Sequence, residues 1–246
     1  MFTPPFSSQN HYVDDLRERG FAVLGAAAVH ALAGAKAPGL AELVPDWDLL
    51  EPDQYLKDGG HYRRRRHASF VLEGDHVRNV PYRPHWQPKA YNALHGGLER
   101  WFTPVAPRTL VQADWCALLR WLGRVADRLM GVQPWYGEAH QFRVDTTNGI
   151  GRPTPEGAHR DGVDLVAVFL IARHAIKGGE TRVFDLDGPR GQRFTLDEPW
   201  SVLLLHDPQM IHETTPIQPL DADELGWRDT LVITLRAGGF MEPPGH

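Results

Sequence analysis

Four short stretches in the second half of the chain hold residue types suited to chemistry at a metal. They are His159-Arg160-Asp161, Gly178-Gly179-Glu180, His212 followed by Thr215-Pro216, and Arg228-Asp229-Thr230. Two imidazoles and one carboxylate can hold a ferrous ion on one face and leave the opposite face open. An Arg with a hydroxyl two residues on can clamp the carboxylate of a small acid beside that ion. The His-x-Asp pair carries little weight alone: with 13 His in 246 residues, random placement gives about one such pair. Order and spacing carry the signal. On an extended segment His159 and Asp161 point to one side, and so do Arg228 and Thr230, while Leu231, Ile233 and Leu235 point away. Asp207, beside His206, is an alternative carboxylate, but it would crowd the edge near His212 and leave His159 without a role. Arg236 is an alternative clamp with the parity of Arg228, displaced by roughly 26 Å along an extended strand.

These residues need strands to position them. Short β-rich runs at 139–144, 164–172, 180–186, 200–205 and 230–236 are separated by Gly, Pro and Asp, a spacing that predicts an antiparallel sandwich or small jelly-roll barrel. The expected fold is mainly β with flanking helices. Residues 1–135 form its helical and loop-rich N-terminal part and residues 136–240 carry the motif-bearing strands, all within a single domain. The clearest helix runs over 112–130, where Trp115, Leu118, Leu119, Leu122, Val125, Ala126 and Leu129 recur at helical spacing before Gly131. A shorter helix starts near Asn10 as its cap and ends at Gly20, feeding a strand over 21–24. Residues 26–43 read as helix interrupted at Gly34 and Pro38, and the Pro-, Trp- and Tyr-rich stretch 81–107 as loop, core or lid.

Composition narrows the classes. A formal charge of −5 argues against general affinity for nucleic acid or anionic membrane. The single cysteine, Cys116, excludes a disulfide framework or thiolate zinc cluster. No apolar run is long enough for a transmembrane helix, and the N-terminus lacks the pattern of a signal peptide. A cytoplasmic protein is the expectation. The run Arg63-Arg64-Arg65-Arg66 reads as a solvated strand or an ion-pair network, with alternate arginines on opposite faces, one of which could hold a substrate carboxylate inside a cavity.

The ordered set resembles the Fe(II)- and 2-oxoglutarate-dependent dioxygenases. The stretch from Pro155 to Asp164, with His140-Gln141-Phe142-Arg143 and Thr230-Leu231-Val232-Ile233-Thr234 in support, is similar to the bacterial free-amino-acid hydroxylase branch typified by L-isoleucine dioxygenase. The resemblance implies a double-stranded β-helix (cupin-like) core. It implies Fe(II) on His159, Asp161 and His212, and 2-oxoglutarate chelated to that ion with its far carboxylate on Arg228 and Thr230. It also implies O2 as the oxidant, with release of succinate and CO2. Related halogenases replace the carboxylate ligand with a small residue, so Asp161 favours hydroxylation.

The implied partner is a small molecule, a free aliphatic L-amino acid such as isoleucine or leucine, with methionine sulfoxidation also open. Such a substrate needs a cation, an acceptor for its ammonium and an apolar pocket. The candidate contacts are Gln141, Arg143, Glu156 and Asp164. Gln141 and Arg143 share one strand face, His140 and Phe142 the other, and either face could meet the cavity. Alternatives are the same chemistry on a peptide, carrier-bound or secondary-metabolite substrate, a cupin-like metal hydrolase or isomerase, and a non-enzymatic small-acid sensor. Oligomeric state is not legible in the sequence.

Overall fold

The computed structural model describes residues 2–245. Its strands are β1 (Phe21–Leu24), β2 (Arg63–Glu73), β3 (His76–Asn79), β4 (Trp135–Asp145), β5 (Leu165–His174) and β6 (Ile176–Gly178). They continue as β7 (Thr181–Asp185), β8 (Gly191–Phe194), β9 (Val202–His206), β10 (Met210–Thr214), β11 (Ile217–Pro219) and β12 (Trp227–Ala237). Seven of them form one sheet in the order β1-β9-β5-β12-β4-β2-β3. A three-stranded sheet, β10-β7-β8, and a two-stranded pair, β11-β6, complete the β structure. Every strand pair is antiparallel. The architecture is the expected mainly-β, jelly-roll type with flanking helices.

The helices are α1 (Tyr12–Arg19), α2 (Ala26–Ala33), α3 (Ala37–Ala41), α4 (Pro107–Leu110) and α5 (Ala113–Met130). The Gln112 side chain accepts from the Trp115 amide at 2.7 Å and starts α5. Trp115, Leu118, Leu122 and Val125 on its apolar face are buried in one core with Leu231, Ile233 and Leu235 of β12 and Ala139 of β4. One face of the large sheet is thereby sealed by helices. A second core joins Val166, Leu170, Leu203 and Leu205 of the large sheet to Val183 and Met210 of the three-stranded sheet. The cavity lies on this second side.

Three expectations change. The N-terminal part, expected to be helical and loop-rich apart from the strand over 21–24, supplies β2 and β3 to the large sheet as well as β1. The run Arg63–Arg66 opens β2, in keeping with its reading as a strand or ion-pair network, with Arg63 and Arg65 buried and Arg64 and Arg66 on the opposite, less buried face. The helical segment after residue 26 breaks at Gly34, in the left-handed region at φ 68°, whereas Pro38 sits in the first turn of α3, where its missing N–H has no helical partner to lose. His11, not Asn10, precedes α1, and no side chain caps that helix. The Gly20 stop stands, at φ 76°.

Candidate metal centre and cavity

One strand and one irregular segment bring the metal-binding residue types together. His212 lies on β10, and His159 lies on an irregular segment that makes one isolated bridge to it. Backbone N–H groups of both donate to each other's carbonyl, at 3.0 and 2.9 Å, so the rings stand side by side with centroids 4.6 Å apart. Asp161 closes the group: its Oδ1 is 3.8 Å from His159 Nε2 and its Oδ2 3.7 Å from His212 Nε2. His159 Nδ1 is 2.9 Å from the Gly157 carbonyl, which fixes the ring and directs the Nε2 lone pair at the cluster.

Asp207 has a different part to play. Its buried carboxylate accepts from the backbone amides of Asp161, Gly162 and Val163 at 3.0, 2.8 and 3.1 Å. It therefore shapes the segment that presents Asp161 rather than competing with it. Gln87 adds a further hold, its Nε2 3.5 Å from Asp161 Oδ1. Burial pushes the Asp161 carboxyl up to about 6, with His159 opposing and the Asp207 and Glu156 charges adding to the rise. Burial disfavours charge on His159, but the Asp161 and Glu156 carboxylates outweigh it and raise that imidazole. His212 is held far below the usual imidazole range by burial and then by His159. A closely packed carboxylate and two imidazoles are the donor set that suits a divalent metal.

Arg228 and Thr230 line the same cavity from β12, as their shared parity requires. The Arg228 side chain is buried, and its Nε and Nη2 find no partner. Burial, and then Arg173, push it down to about 9 against the pull of Asp229. An anion is the group this site lacks. Gly178 and Gly179 build the neighbouring turn, both left-handed at φ 80° and 68°. A Cβ at Gly178 would meet the Pro216 carbonyl at 2.2 Å. The Glu180 amide donates to Thr215 Oγ1 at 2.9 Å, so the Gly-Gly-Glu and Thr-Pro stretches are one stitched corner beside Arg228.

The substrate-contact expectations divide. Glu156 lines the cavity, and its buried Oε2 has no partner. Gln141 and Arg143 are corrected: the cavity takes the other face of β4, with Tyr136, Glu138, His140, Phe142 and Val144. The reason is register. Gln141 stands opposite Leu231 of β12, on the helix-covered face, and Arg143 is bound to Asp229 at 2.8 and 2.7 Å and to Asp48 at 2.8 Å. Asp164 is corrected too, because its carboxylate accepts from the Ala237 amide at 2.7 Å and closes a corner. Sequence reasoning missed His85, Gln87, Asn92, His95 and Arg100, which reach the cavity from the 81–107 stretch, and Glu138. That segment has no period to read. Its backbone bridge to the sheet, His67 to Pro104, and the bridge within it, His85 to Arg100, are tertiary facts.

The overall fold is similar to that of solved structures. A BsmA homolog from Methylobium petroleophilum PM1 is 50% identical, with a TM-score of 0.92 and 98% of each chain covered. IDO from Bacillus thuringiensis superposes with a TM-score of 0.76 at 19% identity, covering 96% of this chain and 100% of its own. The Fe(II)/α-ketoglutarate-dependent dioxygenase TqaL gives 0.71 at 19% identity, covering 93% of this chain and 86% of its own. The latter two likenesses speak for the fold alone. No curated protein matches the chain in sequence. The family model for 2OG-Fe dioxygenase matches residues 44–234, and with the metal-binding donor set on the cavity wall the chain belongs to that family, as an oxidoreductase that uses Fe(II), 2-oxoglutarate and O2.

Proposed function

We propose that this dioxygenase hydroxylates a free aliphatic L-amino acid, with methionine sulfoxidation as a variant. The carrying observation is one small cavity, about 130 Å³, lined by the metal-binding group, the unpaired Arg228, Glu156, whose Oε1 is 3.7 Å from His159 Nε2 and whose Oε2 has no partner, and an apolar wall that includes Val163, Val168, Val232 and Phe240. It is well below the roughly 300–1,000 Å³ typical of pockets for drug-sized ligands. That size suits a small free acid better than a peptide or a carrier-bound chain.

In this reading His159, Asp161 and His212 hold Fe(II), and Asp207 and the Gly157 carbonyl keep two of those ligands oriented. Arg228 takes the far carboxylate of 2-oxoglutarate through Nε–H and Nη2–H, with the Thr230 hydroxyl beside it. Glu156 accepts from the substrate ammonium, and the valine wall excludes water from the side chain. Bound Fe(II) supplies the site at which O2 is reduced, so that substrate, 2-oxoglutarate and O2 give hydroxylated substrate, succinate and CO2.

Incubation with Fe(II), ascorbate, 2-oxoglutarate and each L-amino acid tests the proposal by succinate yield and by a product one oxygen heavier. Stimulation by an aliphatic amino acid is expected. If none stimulates turnover, the substrate assignment fails. Asp161→Ala should abolish coupled turnover, and retained activity would refute the ligand set.

A further inference from the structure

The cavity wall formed by β2 and the 81–107 stretch carries positive charge that its own acids do not neutralise. Arg63, Arg65 and Arg100 all line the cavity and all are buried. Arg63 is matched by Asp53, which accepts from its Nε at 2.8 Å and lies 2.7 Å from its Nη2. Arg65 stands 3.8 Å from that same carboxylate oxygen, beyond hydrogen-bond reach. Its Nη2 donates to a neutral partner, His140 Nδ1, at 2.8 Å. Arg100 donates from Nη2 to another neutral partner, Gln87 Oε1, at 2.9 Å. No carboxylate among the described residues lies within ion-pair distance of Arg100, and the Nε atoms of Arg65 and Arg100 are both buried without a partner.

Both guanidinium groups are fixed before any ligand arrives. Arg65 stacks on Phe102 at 3.7 Å and Phe142 at 4.4 Å, and Arg100 lies 5.9 Å from the same Phe102 ring. His140 holds Arg65 and belongs to a cluster with His67, His85 and Glu138. Their donor atoms lie within 4.8 Å of one another, which raises a second metal as an alternative. The geometry opposes it. Arg65 occupies His140 Nδ1, and Glu138 is 3.2 Å from His67 Nε2 and 2.8 Å from His85 Nδ1. The His67 and His140 rings are stacked at 21°, so their lone pairs run parallel instead of converging. A cation would also meet Arg65 directly.

Arg65 shares the single Asp53 carboxylate with Arg63, and Arg100 has no acid in ion-pair reach; buried guanidinium groups so incompletely matched are unfavourable, and an anionic ligand supplies what is missing. We infer that Arg65 and Arg100 form a second anion site, separate from Arg228, which binds the carboxylate of the primary substrate. Register separates the two sites. Arg65 and Thr230 both stand opposite Phe142 of the intervening β4, two strand spacings or roughly 10 Å apart. The inference rests on the amino-acid reading and assigns its carboxylate anchor, leaving Glu156 to the ammonium. Gln87 joins that anchor to Asp161, since it accepts from Arg100 and its Nε2 lies 3.4 Å from the Asp161 carbonyl.

The test is calorimetric titration of protein loaded with Fe(II) and saturating 2-oxoglutarate under nitrogen. The titrants are the L-amino acids and, for the tightest, its carboxamide. The wild-type protein should bind the carboxamide about 10- to 100-fold more weakly, as loss of charge-assisted hydrogen bonds predicts. R65Q and R100Q should erase most of that discrimination, with R100K retaining part of it and the affinity for 2-oxoglutarate unchanged. Equal binding of acid and carboxamide by wild type overturns the arginine site, and this comparison needs no variant to fold. Weakened 2-oxoglutarate binding in R65Q and R100Q, with the amino acid unaffected, overturns it as well. If no amino acid binds, aliphatic monocarboxylates are titrated instead. Binding that R100Q abolishes keeps the arginine site and removes the amino-acid reading, and no binding removes both.

Discussion

Two arginines on neighbouring strands illustrate how one residue of parity decides a role. Arg228 faces the cavity with two unpaired nitrogens, whereas Arg143 faces the helical layer and neutralises the buried Asp229. Arg228→Gln should therefore raise KM for 2-oxoglutarate about 10- to 100-fold with little change in thermal stability, because it removes charge-assisted bonds made only to ligand. Arg143→Gln should leave both KM values unchanged and lower stability by about 2–3 kcal/mol, by stranding the Asp229 charge. Steady-state kinetics and denaturant unfolding separate the pair. The sequence fixes the relative parity of residues in each strand, so Arg228 and Thr230 are legible as one face. It does not reveal which face of β4 meets the cavity, since both faces of that strand carry buried and polar side chains.

At the scale of elements, the corner formed by Gly178-Gly179 and Thr215-Pro216 is the joint on which the Arg228 site depends. Gly178→Ala should cost about 1–3 kcal/mol, because φ 80° and a carbonyl 2.2 Å from the new Cβ both oppose it. Its Tm should fall, and KM for 2-oxoglutarate should rise further than KM for the primary substrate. Strands and helices with a clear apolar period, such as α5, β5 and β12, were readable within a few residues of their ends. Elements whose position rests on distant partners were not. The arginine run allowed for a strand but not for which face of β2 meets the cavity, and the 81–107 stretch lines the cavity in a position that no local pattern encodes.

For the molecule as a whole, the histidines clustered with Glu138 set a limit on acid stability. Burial pushes His85 down to about 4, against the opposing pull of Glu138, while an unfolded histidine titrates near about 6.5. Between those values the unfolded chain binds a proton that the native protein refuses. Stability should thus be full above about pH 6.5 and fall by about 1 kcal/mol per pH unit toward pH 4 from this group. His85→Gln should flatten that slope in urea titrations followed across pH, and an unchanged slope would locate the acid sensitivity elsewhere. The backbone bridge between His159 and His212 has a different consequence. Because the main chain already ties these two imidazoles side by side, folding has met the ordering cost of two ligands before any ion arrives. Binding an ion should therefore require no ordering of these two main-chain segments.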